Sequence, residues 1–170
     1  MIKLLMTLYV LWSLQSDIYQ LSFTDNRGNI VNLSAFRGKK ILIVNTASQS
    51  KYASQYSSLE QLYEKYQDSL MVIAFPSNDF GKEPGNDSAI AGYVAQYNIQ
   101  FTLAAKSSVS GANIDSVYGW LTDGNQNGQM SNPVPGNFFK YLINSNGMII
   151  GLFAPQVDPM DSTIQQAITN

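Results

Sequence analysis

The sequence predicts an α/β fold, a central mixed β-sheet flanked by helices and preceded by an N-terminal β-hairpin. Three stretches carry that prediction. From Ile41 the chain runs as a continuous aliphatic and β-branched segment, I-L-I-V, the pattern of a strand buried on both faces, and then changes abruptly to small polar residues on the way to Tyr56. Met71 to Phe75 is a second short apolar run, closed by Pro76. The helical periodicity between the two makes a βαβ unit with parallel strands and a right-handed crossover. Phe138 to Ile143 and Met148 to Phe153, joined by the turn Asn144 to Gly147, form the strongest hairpin in the chain, and its antiparallel strands make the sheet mixed.

Residues 1–16 place one positive charge ahead of a largely apolar run from Leu4 to Trp12, followed by small polar residues. That is the layout of a secretory signal peptide whose apolar core is too short to span a bilayer. The expectation is export, periplasmic or secreted, with cleavage near Ser16 and a mature domain of residues 17–170 that has no transmembrane span. The alternative is a buried N-terminal strand or helix in a cytoplasmic protein. From Ile18, I-Y-Q-L-S-F-T alternates apolar and polar residues, Asp25 to Gly28 supplies turn chemistry and I-V-N-L resumes, which predicts the hairpin. After the first central strand, Leu59, Leu62, Tyr63 and Tyr66 share one helical face, with Ser57 and Glu60 spaced as a capping box.

A second helix is expected over 86–97, with Ile90, Tyr93, Val94 and Tyr97 on one face. Phe101 to Ala105 suits a short edge strand and Ser116 to Leu121 a short helix. Thr122 to Gly136 reads as a turn-rich loop. Pro159, as a first helical residue after Asp158, opens a closing amphipathic helix that carries Ile164, Ala167 and Ile168.

One hundred and seventy residues suit a single domain. Only 13% of them are charged, about half the usual ~25%, so the surface is polar through Ser, Asn and Gln. A net charge of −2 and a pI near 4.9, with scattered basic residues, leave no footprint for nucleic acid. The chain contains no cysteine and no histidine. That excludes disulfides, thiolate nucleophiles, Cys/His zinc sites and an imidazole base together, and neither a metal nor a cofactor is expected.

Chemistry in such a fold sits where the carboxyl end of a buried strand meets the next helix, and the candidate side chain there is Ser50. The surrounding text, V-N-T-A-S-Q-S-K-Y-A-S-Q-Y at 44–56, resembles the first signature of the glutathione peroxidase family, V-N-V-A-S-x-C-G-x-T-x-Q-Y, whose cysteine or selenocysteine is here Ser50. F-P-S-N-D-F-G-K-E-P-G at 75–85 resembles F-P-C-N-Q-F-G-x-Q-E-P-G, one residue shorter. G-N-F-F-K-Y-L-I-N-S-N-G at 136–147 resembles W-N-F-x-K-F-L-V-D-x-x-G, and Y-G-W-L at 118–121 the family's Y-x-W-L helix. The resemblance runs from about Ile18 to the C-terminus. It implies a thioredoxin-like fold, agreeing with the order of elements, and a short 122–136 loop of the kind found in monomeric members. It also implies thiol-dependent reduction of hydrogen peroxide or organic hydroperoxides, with glutathione or thioredoxin as reductant.

The site departs from that pattern. On the resemblance, the positions of the family's Gln, Trp and Asn donors are held by Asp79, Gly136 and Asn137, and only the asparagine is kept. Reducing a peroxide needs a polarisable anion that cycles through a sulfenic acid, which a serine hydroxyl cannot do. A carboxylate at Asp79 would also raise the pKa of a nearby thiol. No resolving cysteine lies in the 90–97 helix. A serine hydrolase would need Lys51 or Asp79 as base and is disfavoured; Ser50 reads first as a plain loop or cap residue. The leading expectation is therefore a redox-inactive binding member whose unknown ligand occupies a crevice around Ser50, Lys51, Asn78, Asp79 and Asn137. One alternative is the Cys/Sec-to-Ser form of an active peroxidase in oxidative-stress defence. Another is a structural partner of a redox protein, docking through a sheet edge.

Overall fold

The computed structural model describes residues 16–170. Residues 1–15, which hold nearly all of the expected signal peptide, lie outside the described residues. Among the described residues no helix is long and apolar enough to cross a membrane.

The chain enters through a single 3-10 turn, Ile18–Gln20, where the alternating pattern predicts a strand. Ile18 and Tyr19 are both buried, which consecutive residues of a half-exposed strand cannot be. Asp17 caps the turn by accepting from the Tyr19 N–H at 3.0 Å, and Tyr19 lies under the Arg37 guanidinium at 4.2 Å. The expected hairpin follows as β1 (Ser22–Thr24) and β2 (Ile30–Asn32), paired antiparallel.

The central elements are β3 (Lys40–Thr46), α1 (Gln55–Tyr66) and β4 (Leu70–Pro76). β3 and β4 pair in parallel, in register from Lys40 opposite Leu70 to Thr46 opposite Pro76. The uniform apolar run of β3 reflects burial on both faces. Ile41 and Ile43 face one core with Phe75, Tyr118 and Tyr141, while Leu42 and Val44 face another with Leu59, Leu62, Ile164 and Ile168. α1 begins two residues before the predicted Ser57 box. Bonds from each N–H to the third carbonyl back, at Ser50, Ala53, Gln55 and Tyr56, wind the preceding turn directly into the helix, so no side-chain cap is formed. Glu60 does not reach back to the helix start; its carboxylate accepts from the Gln100 N–H at 2.8 Å.

The second helix, α2 (Asp87–Val94), starts at the Asn86 cap, where the side chain accepts from the Ala89 N–H. The α-helix stops at Val94 and tightens into a 3-10 turn over Ala95–Tyr97 that ends at left-handed Asn98, so the single helix expected over 86–97 is split in two. β5 (Thr102–Leu103) is the expected edge strand and lies parallel to β4. α3 (Ser116–Thr122) matches its prediction, and the supposed loop after it contains a further turn of helix, α4 (Gly124–Asn127).

β6 (Lys140–Ile143) and β7 (Ile149–Phe153) form the second hairpin and complete a five-stranded sheet in the order β5-β4-β3-β6-β7. β6 starts later than Phe138 because that residue sits at φ +65°. The last helix, α5 (Ser162–Thr169), is capped by Asp161 and not by the Asp158–Pro159 pair. Asp158 instead closes the turn before the helix, its carbonyl accepting from the Asp161 N–H and its carboxylate from the Met160 N–H.

Candidate functional site

The carboxyl end of β3 fastens the segment 136–139 at three points. Asn45, fully buried, donates from Nδ2 to the Gly136 carbonyl at 3.0 Å and accepts at Oδ1 from the Phe139 N–H at 3.2 Å. Its own carbonyl accepts from the Phe138 N–H at 2.6 Å. These bonds hold Phe138 in a left-handed conformation that a bulky residue adopts only under constraint, and so set the direction of Asn137 beside it. The fully buried Lys140 adds a fourth tie, its ammonium donating to the Phe138 carbonyl at 2.8 Å. Burial pushes the Lys140 amine down to about 8, against the pull of Asp158.

The turn after β3 is held from the other side. Glu83, also buried, accepts from the Ser48 N–H at 2.6 Å and the Ser48 hydroxyl at 2.7 Å, and the Gln49 N–H donates to the Lys82 carbonyl. Ser50 is half-buried in this turn; its N–H donates to the Ala47 carbonyl, and its hydroxyl oxygen accepts from the Tyr52 N–H at 3.2 Å. No base contacts that hydroxyl among the described residues.

A crevice of about 660 Å³ opens here. The turn supplies Gln49, Ser50, Lys51 and Tyr52 to its wall; Phe80 and Lys82 face them, and Pro135, Gly136, Asn137 and Pro155 complete it. The structure thus brings Ser50, Lys51, Gly136 and Asn137 together. Asn78 and Asp79 are not among the lining residues. Asn78 Oδ1 accepts from the Glu83 N–H at 2.9 Å, inside its own turn. The Asp79 carboxylate turns to the loop before α3, where it takes the hydroxyls of Ser108 and Ser110 and the N–H groups of Val109 at 2.7 Å and Ser110 at 2.9 Å. The crevice that the sequence drew around all five polar residues is narrower in the fold, with Phe80 and Lys82 in place of Asn78 and Asp79.

Asn137 is 8% exposed, and its Oδ1 has no hydrogen-bond partner among the described residues. A Cβ on Gly136 would meet nothing within 4 Å, so the crevice is open at the position where the family pattern has a tryptophan. Sequence reasoning passed over Asn45, Glu83 and Lys140. Each carries a signal, being a polar or charged side chain inside an otherwise apolar or turn-forming run, but which group it satisfies depends on distant segments. Chemically the arrangement offers amide, hydroxyl and ammonium groups around an apolar slot. No group of three or more potential metal ligands occurs among the described residues.

Comparison with known proteins adds the lineage of this geometry. The family model described as glutathione peroxidase matches residues 18–122. Glutathione peroxidase-like peroxiredoxin 2 of Saccharomyces cerevisiae is 35% identical over 159 residues, spanning 91% of this chain and 98% of that protein. The phospholipid hydroperoxide glutathione peroxidase of Sus scrofa is 32% identical over 152 residues, 87% of this chain and 77% of its own. The crystal structure of Trgpx in apo form superposes with a TM-score of 0.68 at 30% identity, covering 91% of this chain and 97% of that one. A thioredoxin family protein from Chlorobium tepidum TLS, a thiol:disulfide interchange protein, superposes with a TM-score of 0.66 at 12% identity over 91% of this chain and 97% of its own. That likeness shows the thioredoxin-like fold alone.

Proposed function

The chain belongs to the glutathione peroxidase family, and from that premise we propose that it is a redox-inactive member that acts by binding a ligand in the crevice beside Ser50. One observation carries the reading: a chain without any cysteine presents, where the family pattern has its peroxide-reducing residue, a serine whose hydroxyl meets only the Tyr52 N–H. An oxygen nucleophile without a base neither attacks the O–O bond nor forms a state that a thiol can reduce. The binding reading is supported by the crevice itself, whose walls are fixed by Asn45 and Glu83.

The test is a coupled assay with hydrogen peroxide and a lipid hydroperoxide, offering glutathione and thioredoxin in turn, on the protein and on Ser50→Cys. The expected result is no turnover by the protein. Reproducible thiol-dependent reduction would end the reading. The second reading, a Cys/Sec-to-Ser form of an active peroxidase, is favoured by the complete lack of cysteine and predicts that Ser50→Cys is active. Codons 50 and 77 of the natural gene separate the two readings independently. The proposal includes export and a monomeric mature chain, checked by N-terminal mass analysis of material recovered outside the cytoplasm and by sedimentation.

A further inference from the structure

Resting on that reading, we propose that the crevice selects an organic carboxylate with a flat apolar body. Its charge is one-sided. Lys51 and Lys82 line it, no acidic residue does, and neither ammonium makes an ion pair among the described residues. The two carboxylates nearest in sequence to this wall are both committed elsewhere, Asp79 to Ser108, Val109 and Ser110, and Glu83 to Ser48. The lining itself therefore carries two positive charges and no negative one, in a chain whose net charge is −2. Lys51 stands over the Tyr52 ring at 5.0 Å, so its ammonium is kept at the crevice wall without being neutralised.

The rest of the lining calls for a body attached to that charge. Tyr52, Phe80, Pro135 and Pro155 present ring surfaces, and the open space at Gly136 leaves room for a plate to lie between them. Asn137, nine-tenths buried and without a hydrogen bond to its Oδ1, is the polar group at depth. Lysine ammoniums act as point charges and suit a carboxylate held through one or two oxygens.

The probe is 2-naphthoate, followed by calorimetry or by amide chemical shifts at 20 mM and 300 mM salt. The comparisons are 2-naphthamide, inorganic phosphate and S-methylglutathione. We expect 2-naphthoate to bind and 2-naphthamide to bind about 10-fold more weakly. Lys51→Gln and Lys82→Gln should each weaken 2-naphthoate by about 5-fold at low salt and by less at high salt. Both lysines are exposed, so the variants keep the fold. Equal binding of acid and amide, indifference to both lysine substitutions, or a preference for phosphate or S-methylglutathione would each overturn the inference. Peroxide turnover by the unaltered protein would instead end the binding-member reading. A crevice inert to both peroxide and 2-naphthoate ends this inference alone.

Discussion

Lys140 is the residue whose chemistry is most at odds with its surroundings. An amine near 10.4 in the unfolded chain falls to about 8 in the folded one. Between those values the unfolded chain binds more protons, so stability rises with pH across the window, by on the order of 3 kcal/mol if the whole shift is realised. Above about 10 the sign reverses. Burial holds Tyr93 and Tyr141 up at about 12, and Tyr56 and Tyr118 are raised as well. Unfolded tyrosines then lose protons that the folded ones keep, and stability falls as pH rises. Urea unfolding at intervals from pH 7 to 11 should therefore pass through a maximum near 10. Lys140→Met should flatten the rising limb and leave the falling one. Asn45 makes a different demand. Asn45→Ala strips the Gly136 carbonyl and the Phe139 N–H of partners inside the fold, and should cost about 2–3 kcal/mol in the same measurement.

At the level of elements, what the sequence discloses follows from how local each determinant is. β3 and β4 are legible because burial on both faces leaves an unbroken apolar run, and α2 because Asn86 caps it within one turn. The start of α5 is not, since Asp158 and Asp161 are equally good cap residues by type. Only the return bond from the Asp161 N–H to the Asp158 carbonyl makes one a turn and the other a cap. The candidate site divides in the same way. Ser50 and Lys51 are placed by the strand-to-helix junction next to them, whereas Asp79 is turned away by Ser108, Val109 and Ser110, which no local pattern ties to it. Asp79→Ala should accordingly loosen that loop, seen as faster amide exchange at Val109 and Ser110 and a loss of about 1–2 kcal/mol. Ligand binding in the Ser50 crevice should stay unchanged. A change in crevice affinity equal to that of a Lys82 substitution would return Asp79 to the site.

For the whole molecule, two cores share one sheet, and the point where the described chain begins is tied into the larger of them. Trp120, 2% exposed, donates its indole N–H to the Ser16 carbonyl at 2.6 Å, while the Ser16 N–H donates to the Gln126 carbonyl at 3.2 Å. One residue on, Asp17 pairs with Arg37 at 2.7 Å and caps the turn that buries Tyr19. Ser16 thus joins α3, α4 and the entry turn. A cut after Ser16 would leave the Trp120 indole N–H without its acceptor beside a newly charged terminus. A cut a few residues earlier would leave these bonds intact. A chain starting at residue 14 should therefore unfold at higher urea than one starting at residue 17, by about 1–3 kcal/mol in extrapolated stability. Trp120→Phe should erase that difference, because it removes the donor in both. If the protein is exported, its N-terminus, read by mass, should retain Ser16. Equal stability of the two truncations would show that the Trp120–Ser16 bond contributes nothing and would leave the processing site unconstrained by the fold.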